Sequence, residues 1–266
     1  HFAAMRINWD DKVENMKELA KELNIGLDSF VFLDDDATNR AWVRSALPEV
    51  TVPELPQDPA LYTPFLLSLG LFEGREVTDE DTMRGNMYVT ERLRREAEKR
   101  HQSKEEFLND LGLELRIFEN DPSSLARLAQ LTEKTNQFNV LKHPLTEEEI
   151  ALLMRDGAHL VLHGKLVDRY GDYGIIILAV VETTETPWRV STLLMSCRVF
   201  GRGVEEALLS VLLRKADEAG QKHVAIDFEK TPKNEPAETF VQKHFKNGLA
   251  TVGAVETPSW LTVTYG

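Results

Sequence analysis

Three consecutive carboxylates, Asp34-Asp35-Asp36, end the short apolar run Ser29-Phe30-Val31-Phe32-Leu33. That run reads as a strand buried on both faces, as in a parallel α/β sheet. Carboxylates at the carboxyl end of such a strand are hard oxygen donors, suited to a divalent cation such as Mg²⁺. One Asp there also serves as the N-cap of a following helix, and the pattern admits both uses. The second string with chemistry in it is Arg198-Val199-Phe200-Gly201-Arg202-Gly203, just ahead of a long amphipathic run. Glycines let backbone N–H groups approach an anion, and a helix start adds positive potential. Arg198 and Arg202 add side-chain donors. A glycine turn with solvated arginines is the alternative.

Other residues invite weaker readings. Cys197 lies beside an arginine and a helix start, where thiols can be activated, but it reads rather as a buried structural cysteine. His159 and His163 are on a predicted strand, where four residues span about 13 Å, so a shared metal is not expected. Asn136, Gln137 and Asn139 surround Phe138 and suit either a helix end or a cleft wall. Asp168 to Gly174 reads as a turn punctuated by Gly171 and Gly174.

The elements that must position these residues follow from periodicity. Lys12 to Asn24 is predicted helical, with Asp10 and Asp11 at its positive end and Gly26 after it. Ala37 to Leu47 is a second predicted helix, and Thr51-Val52-Pro53 is extended. Residues 1–57 thus read as α-β-α-β, half of an open α/β sheet that cannot cover both faces alone. Residues 58–110 read as linking helices, including the mixed charge run Glu91 to Arg100, expected to be a solvated helix. From residue 111 to 266 the predicted order is β-α-α-β-β-β-α-β-α-β. Its strongest helix is Gly203 to Ala219, where Val204, Ala207, Leu208, Val211 and Leu212 share a face.

Composition bounds the rest. The net charge of −13 over 266 residues argues against binding a nucleic-acid backbone, which needs clustered cations. Hydrophobic residues at 42% and charged residues at 28% fit globular domains. A lone cysteine excludes a disulfide framework, which fits a cytoplasmic setting. The longest apolar run, Ile175 to Val181, is too short for a membrane span, and no leader is evident. His1 at the head leads to the expectation that the natural start is missing.

Several strings resemble a known family. Asn8-Trp9-Asp10-Asp11-Lys12, Val31-Phe32-Leu33-Asp34-Asp35-Asp36 with Arg40, and Leu47-Pro48 through Val50, Val52-Pro53-Glu54-Leu55-Pro56 look like the carboxyl half of an FkbH-like domain. The likeness continues through Lys134 to Asn139, Asp168 to Gly174 and Met195 to Gly203. That family belongs to the haloacid dehalogenase (HAD) superfamily of phosphoryl-transfer enzymes. The resemblance implies that Lys12 neutralises phosphate charge and that Asp34 and Asp35 hold Mg²⁺. The superfamily's aspartate nucleophile precedes that lysine, and no such motif occurs in His1 to Asp11. The chain as given is therefore expected to lack phosphatase activity.

The string Arg198 to Gly203, with the element order around it, resembles the acyl-CoA pyrophosphate loop of GNAT-type acyltransferases. Those enzymes hold a thioester in a splayed cleft and protonate the leaving thiolate, commonly from a Tyr in an Asn-x-x-Ala-x-x-Phe-Tyr pattern. Asn234, Ala237 and Phe240 match that pattern, which implies that Asn234, with Arg198 to Gly203, binds the cofactor, but Val241 stands where the Tyr would be. The resemblance implies a HAD-type α/β portion followed by a GNAT-like mixed α/β domain. It implies loading of a phosphorylated three-carbon acid, of the bisphosphoglycerate type, onto an acyl carrier protein in polyketide or related metabolism. Mg²⁺ and CoA or phosphopantetheine would be the cofactors. A GNAT-like module that binds pantetheine without chemistry, or an N-acyltransferase, are the alternatives.

Overall fold

Asp11 accepts from the backbone N–H groups of Val13 (2.8 Å) and Glu14 (3.3 Å), and so starts helix α1, Lys12–Leu23. Asp36 does the same for helix α2, Ala37–Ala46, by accepting from the Thr38 N–H at 2.7 Å. Each carboxylate satisfies orphan donors at a positive helix end. The computed structural model describes residues 3–23, 25–72, 90, 93, 94 and 97–266. The chain divides into two units, His1–Val89 and Thr90–Gly266.

In the first unit, Val13 and Met16 of α1 pack with Val43, Leu47 and Val50. Trp42 ties the helices together by donating from Nε1 to Asp11 at 2.9 Å. The expected doubly buried strand at Ser29–Leu33 is corrected. Val31 forms one parallel bridge with Thr51, through Phe32 N–H to Thr51 C=O (2.9 Å) and Thr51 N–H to Phe30 C=O (3.0 Å). Leu33 is 39% exposed. Among the described residues this run has one short neighbour and no second sheet layer, and a lone strand pair does not cover two faces. A short helix, α3, follows at Tyr62–Ser68.

The second unit is a seven-stranded mixed sheet. Its strands are β1 Leu113–Glu119, β2 His159–Asp168, β3 Gly171–Glu182, β4 Trp188–Met195, β5 His223–Ile226, β6 Leu249–Thr251 and β7 Leu261–Tyr265. Their spatial order is β6-β5-β4-β3-β2-β1-β7. The β4/β5 and β1/β7 pairs are parallel and the others antiparallel. The helices are α4 Lys104–Leu111, α5 Leu125–Lys134, α6 Glu147–Leu153, α7 Val204–Glu218 and α8 Glu235–His244. The element order matches the periodicity, with the three-residue strand β6 added.

Strand β3 explains the layering. Leu178 and Val180 pack in a cluster with Leu128, Leu131 and Ile150 of α5 and α6. Ile177, Ala179 and Val181 join the larger cluster with Phe107, Leu208, Val211, Leu212 and Phe240 of α4, α7 and α8. Alternation sends successive side chains to opposite faces, so a continuous apolar strand needs helices on both. The charge run is partly corrected as well. Glu91, Arg92, Arg95 and Glu96 lie outside the described residues, but Arg94 is 3% exposed rather than solvated.

Candidate functional site

The acidic turn of the first unit is held from several sides. Asp34 accepts from the Asp36 N–H (2.9 Å) and from Asn39 Nδ2 (3.3 Å). Arg40 donates to the backbone carbonyls of Asp34 (2.8 Å) and Asp35 (3.0 Å) and pairs with Glu54 at 3.1 Å. The three acids divide their labour: Asp36 caps α2, while Asp35 stands exposed and Asp34 half-buried beside it. Hydrogen bonds from Thr38 hold the Asp36 carboxyl below its ordinary range. Among the described residues no group of three or more His, Cys, Asp or Glu side chains comes together to hold a metal ion. Mg²⁺ commonly keeps several waters and takes one or two carboxylates, so Asp34 and Asp35 fit it as oxygen donors. Lys12 is exposed at the first position of α1.

The glycine string forms a bend as expected, between a single 3₁₀ turn, Cys197–Val199, and α7. Gly201 (φ 73°) and Gly203 (φ 79°) both lie in the left-handed region. Two side chains crowd them. A methyl group at Gly203 would stand 2.6 Å from Pro258 Cγ, and one at Gly201 would stand 2.7 Å from Lys104 Nζ. Gly203 is therefore also a packing glycine, whereas Gly201 faces an ammonium group. Arg198 donates to Ser196 Oγ (3.2 Å), and Arg202 donates to the Arg198 carbonyl (3.0 Å). The Arg202 guanidinium lies 5.3 Å from the Tyr173 ring, and its carbonyl accepts from Trp260 Nε1 at 2.9 Å. Val199 is buried and Phe200 partly buried, packed against the core.

The sheet parts between β4 and β5, which pair only from Trp188/Val224 to Val190/Ile226. The chain at Phe138–Val140 fills that wedge. Val140 donates to the Leu193 carbonyl (3.1 Å) and Met195 donates to the Phe138 carbonyl (3.0 Å). On its other side, Val140 C=O accepts from the Glu229 N–H at 2.9 Å. Asn139 is 3% exposed, so it is not an open cleft wall, and its Nδ2 donates to the carbonyl of Thr135 at the end of α5 (3.1 Å), as the helix-end reading expects. Asn234 is 2% exposed and locks this arrangement. Its Nδ2 donates to the carbonyls of Asn139 (3.0 Å) and Glu229 (2.9 Å), and its Oδ1 accepts from the Thr231 N–H (2.8 Å). Its amide is thus committed to backbone.

Beside the bend opens a cleft of about 390 Å³, lined by Phe138, Phe200 and Gly201, by Glu205 and Glu206 of α7, and by Glu235, Phe240 and Lys243 of α8, among others. Glu205 Oε2 is sealed from solvent and has no hydrogen-bond partner. Burial, reinforced by the neighbouring Glu206, pushes the Glu205 carboxyl up to about 7. Burial works on Glu206 in the same direction, but the hydrogen bond and charge of Lys243 at 2.9 Å prevail and hold it down. Sequence periodicity singled out neither Glu205 nor Lys104. Their roles follow from tertiary packing.

The remaining candidates resolve simply. Burial pushes the Cys197 thiol up, which opposes activation. His159 pairs with Asp156 at 2.7 Å, while His163 is buried and stacked on Phe118, so the two share no metal. Asp168 is more than a turn residue, because it accepts from Arg94 and from Tyr173 Oη at 2.9 Å.

No family model and no curated protein matches the chain. Among solved structures, it is 52% identical to the N-terminal part of a Bacteroides fragilis protein, described as containing a phosphatase domain and complexed with Mg. That likeness covers 25% of this chain and 18% of the other, with a TM-score of 0.24. The ribosomal-protein-alanine N-acetyltransferase of Brucella melitensis biovar Abortus is 16% identical, with a TM-score of 0.39, over 48% of this chain and 89% of that one. The ribosomal-protein-S18-alanine N-acetyltransferase of Escherichia coli is 14% identical, with a TM-score of 0.36, over 48% and 75%. Among the described residues no helix is long and apolar enough to cross a membrane. By its own sheet and helices the chain is a mixed α/β protein; it is similar in part to a phosphatase-domain protein and in part to N-acetyltransferases.

Proposed function

We propose that this chain is part of an FkbH-like protein that dephosphorylates a phosphorylated three-carbon acid and passes the glyceryl group to an acyl carrier protein in polyketide or related metabolism. In the first unit, Asp34 and Asp35 would hold Mg²⁺, and Lys12 would offset substrate phosphate charge. The ion would supply charge stabilisation to phosphoryl transfer. The second unit is read as a GNAT-like module that holds a pantetheine arm, of a carrier or of CoA, without transferring an acyl group. Gly201 and the N-terminus of α7, with Lys104 and the two arginines of the bend nearby, would receive the phosphate.

The observation that carries the silent reading is the residue at position 241. Val241, buried, occupies the position of the usual proton donor and has no proton to give.

The test titrates the chain with an acyl carrier protein bearing its phosphopantetheine arm, with the same carrier lacking it, and with CoA. Acetyl-CoA is incubated in parallel with a panel of amines while thiol release is followed. Arm-dependent binding without thiol release is the expected result. Steady thiol release with an amine would replace the silent module by an N-acyltransferase, and binding that ignores the arm would remove the pantetheine reading.

A further inference from the structure

Arg40 bonds every backbone carbonyl of the acidic string. Its own N–H donates to the Asp36 carbonyl at 3.1 Å, as part of helix α2. Its Nη1 donates to the carbonyls of Asp34 (2.8 Å) and Asp35 (3.0 Å). The other edge of the guanidinium, Nε and Nη2, holds one Glu54 oxygen at 3.2 and 3.1 Å. The second Glu54 oxygen accepts from Arg44 of the same helix at 2.6 Å. Arg40 is buried. A planar fork of five donors can serve two carbonyls along one edge and a carboxylate along another, which a lysine ammonium cannot.

Charge gives this arginine no reason to stand beside a cation site, because a guanidinium repels Mg²⁺. Its donors are spent on backbone instead, and Glu54 matches its charge. The Asp34 side chain is held separately, by Asn39 Nδ2 at 3.3 Å from each oxygen and by the Asp36 N–H. We propose that Arg40 is the positioning residue of the Mg²⁺ site: it fixes the backbone of Asp34 and Asp35 so that both carboxylates face one ion, and Glu54 in turn fixes Arg40. This rests on the Mg²⁺ reading of the first unit. Mg²⁺ demands near-octahedral geometry, so its ligands must be held in place beforehand. Removing a group that orients metal ligands typically costs about 10- to 100-fold in affinity.

The experiment follows the backbone amide resonances of Asp34, Asp35 and Asp36 in the full chain during titration with Mg²⁺, a method that reads weak as well as tight binding. Melting temperatures are recorded alongside. The parent should show saturable shifts, and Asp35→Asn should show none. Arg40→Lys keeps the charge and loses the fork, and its Mg²⁺ midpoint should rise at least ten-fold. Glu54→Gln, at an exposed position, keeps the carbonyl contacts and loosens their anchor, with a two- to three-fold rise expected. A role in stability alone would lower the melting temperature and leave the Mg²⁺ midpoint of the folded chain unmoved. That result in both variants would overturn the proposal and leave the Mg²⁺ reading standing. Should Arg40→Lys fail to fold, Glu54→Gln decides alone. A parent without saturable shifts, or shifts retained in Asp35→Asn, would remove the Mg²⁺ reading and this proposal with it.

Discussion

Arg94 and Asp168, separated by 74 residues, form a buried bidentate ion pair, with Arg94 Nε 2.6 Å and Nη2 2.9 Å from the two carboxylate oxygens. The Arg94 guanidinium also lies 3.9 Å from the Tyr173 ring centroid, and Asp168 takes the N–H groups of Tyr170 (2.9 Å) and Gly171 (3.0 Å). Every lone pair of the carboxylate is engaged, so removing the arginine leaves a buried charge with too few donors. Arg94→Ala should cost about 3–5 kcal/mol in urea unfolding, the range for breaking buried pairs. A loss below about 1 kcal/mol would mark the pair as no better than a surface bridge.

Glu205 should make stability fall with rising pH. Its folded pKa, about 7, lies above the ordinary carboxylate value of 4.5, so the folded chain binds the proton more tightly than the unfolded chain. That advantage is complete below pH 4.5 and is lost progressively as pH rises from there through 7. At about 1.4 kcal/mol per unit, the loss by pH 8 is on the order of 3 kcal/mol. Glu205→Gln keeps the shape and removes the titration. Its melting temperature should therefore match the parent near pH 4.5 and exceed it at pH 8. A constant difference between the two proteins across that range would contradict the assignment.

The order of elements in the second unit was legible because burial leaves a periodic trace. Leu178 and Val180 against Ile177 and Ala179, or Val204 through Leu212 on α7, declare their faces in sequence. The cap at Asp36 was legible for the same local reason, although the same string also admitted a metal site. What the pattern concealed is set by contacts between distant segments. Asn234 looked like a ligand residue, yet Asn139 and Glu229 claim its amide. Gly203 reads as an anion-binding glycine, and nothing local to it signals that Pro258 also lies where a side chain would be. Arg94 sat in a charge run that reads as solvent-facing until Asp168 is placed against it. The apolar run ending at Leu33 implied a buried strand, but burial also needs a covering layer that the run itself cannot specify.

His163 should confer acid sensitivity of the opposite sign. It is 1% exposed, stacked on Phe118 at 5.1 Å, and its Nδ1 has no hydrogen-bond partner. Burial pushes its pKa down from 6.5 to about 4, only partly opposed by Asp121. The unfolded chain therefore binds the proton more readily, and stability present above pH 6.5 is lost as pH falls towards 4. The full loss is about 3 kcal/mol. His163→Phe retains the stacked ring and should flatten the decline between pH 6.5 and 4 in denaturant titrations. An equally steep decline in the variant would place the acid sensitivity elsewhere.

Gly201→Ala and Gly203→Ala should separate packing from ligand binding at the bend. Both positions are left-handed, which costs a non-glycine residue roughly 1–2 kcal/mol. At Gly203 the added methyl also meets Pro258 Cγ at 2.6 Å, a ring that cannot rotate away, so the loss of stability should exceed that at Gly201 by at least about 1 kcal/mol. At Gly201 the methyl meets only the end of the Lys104 side chain, which can move aside. That movement displaces the ammonium from the bend. Gly201→Ala should therefore keep most of the stability while weakening carrier binding at least five-fold at low salt. Equal stability losses in the two variants would refute the packing role of Gly203. Undiminished carrier binding by Gly201→Ala would remove the bend from the phosphate site.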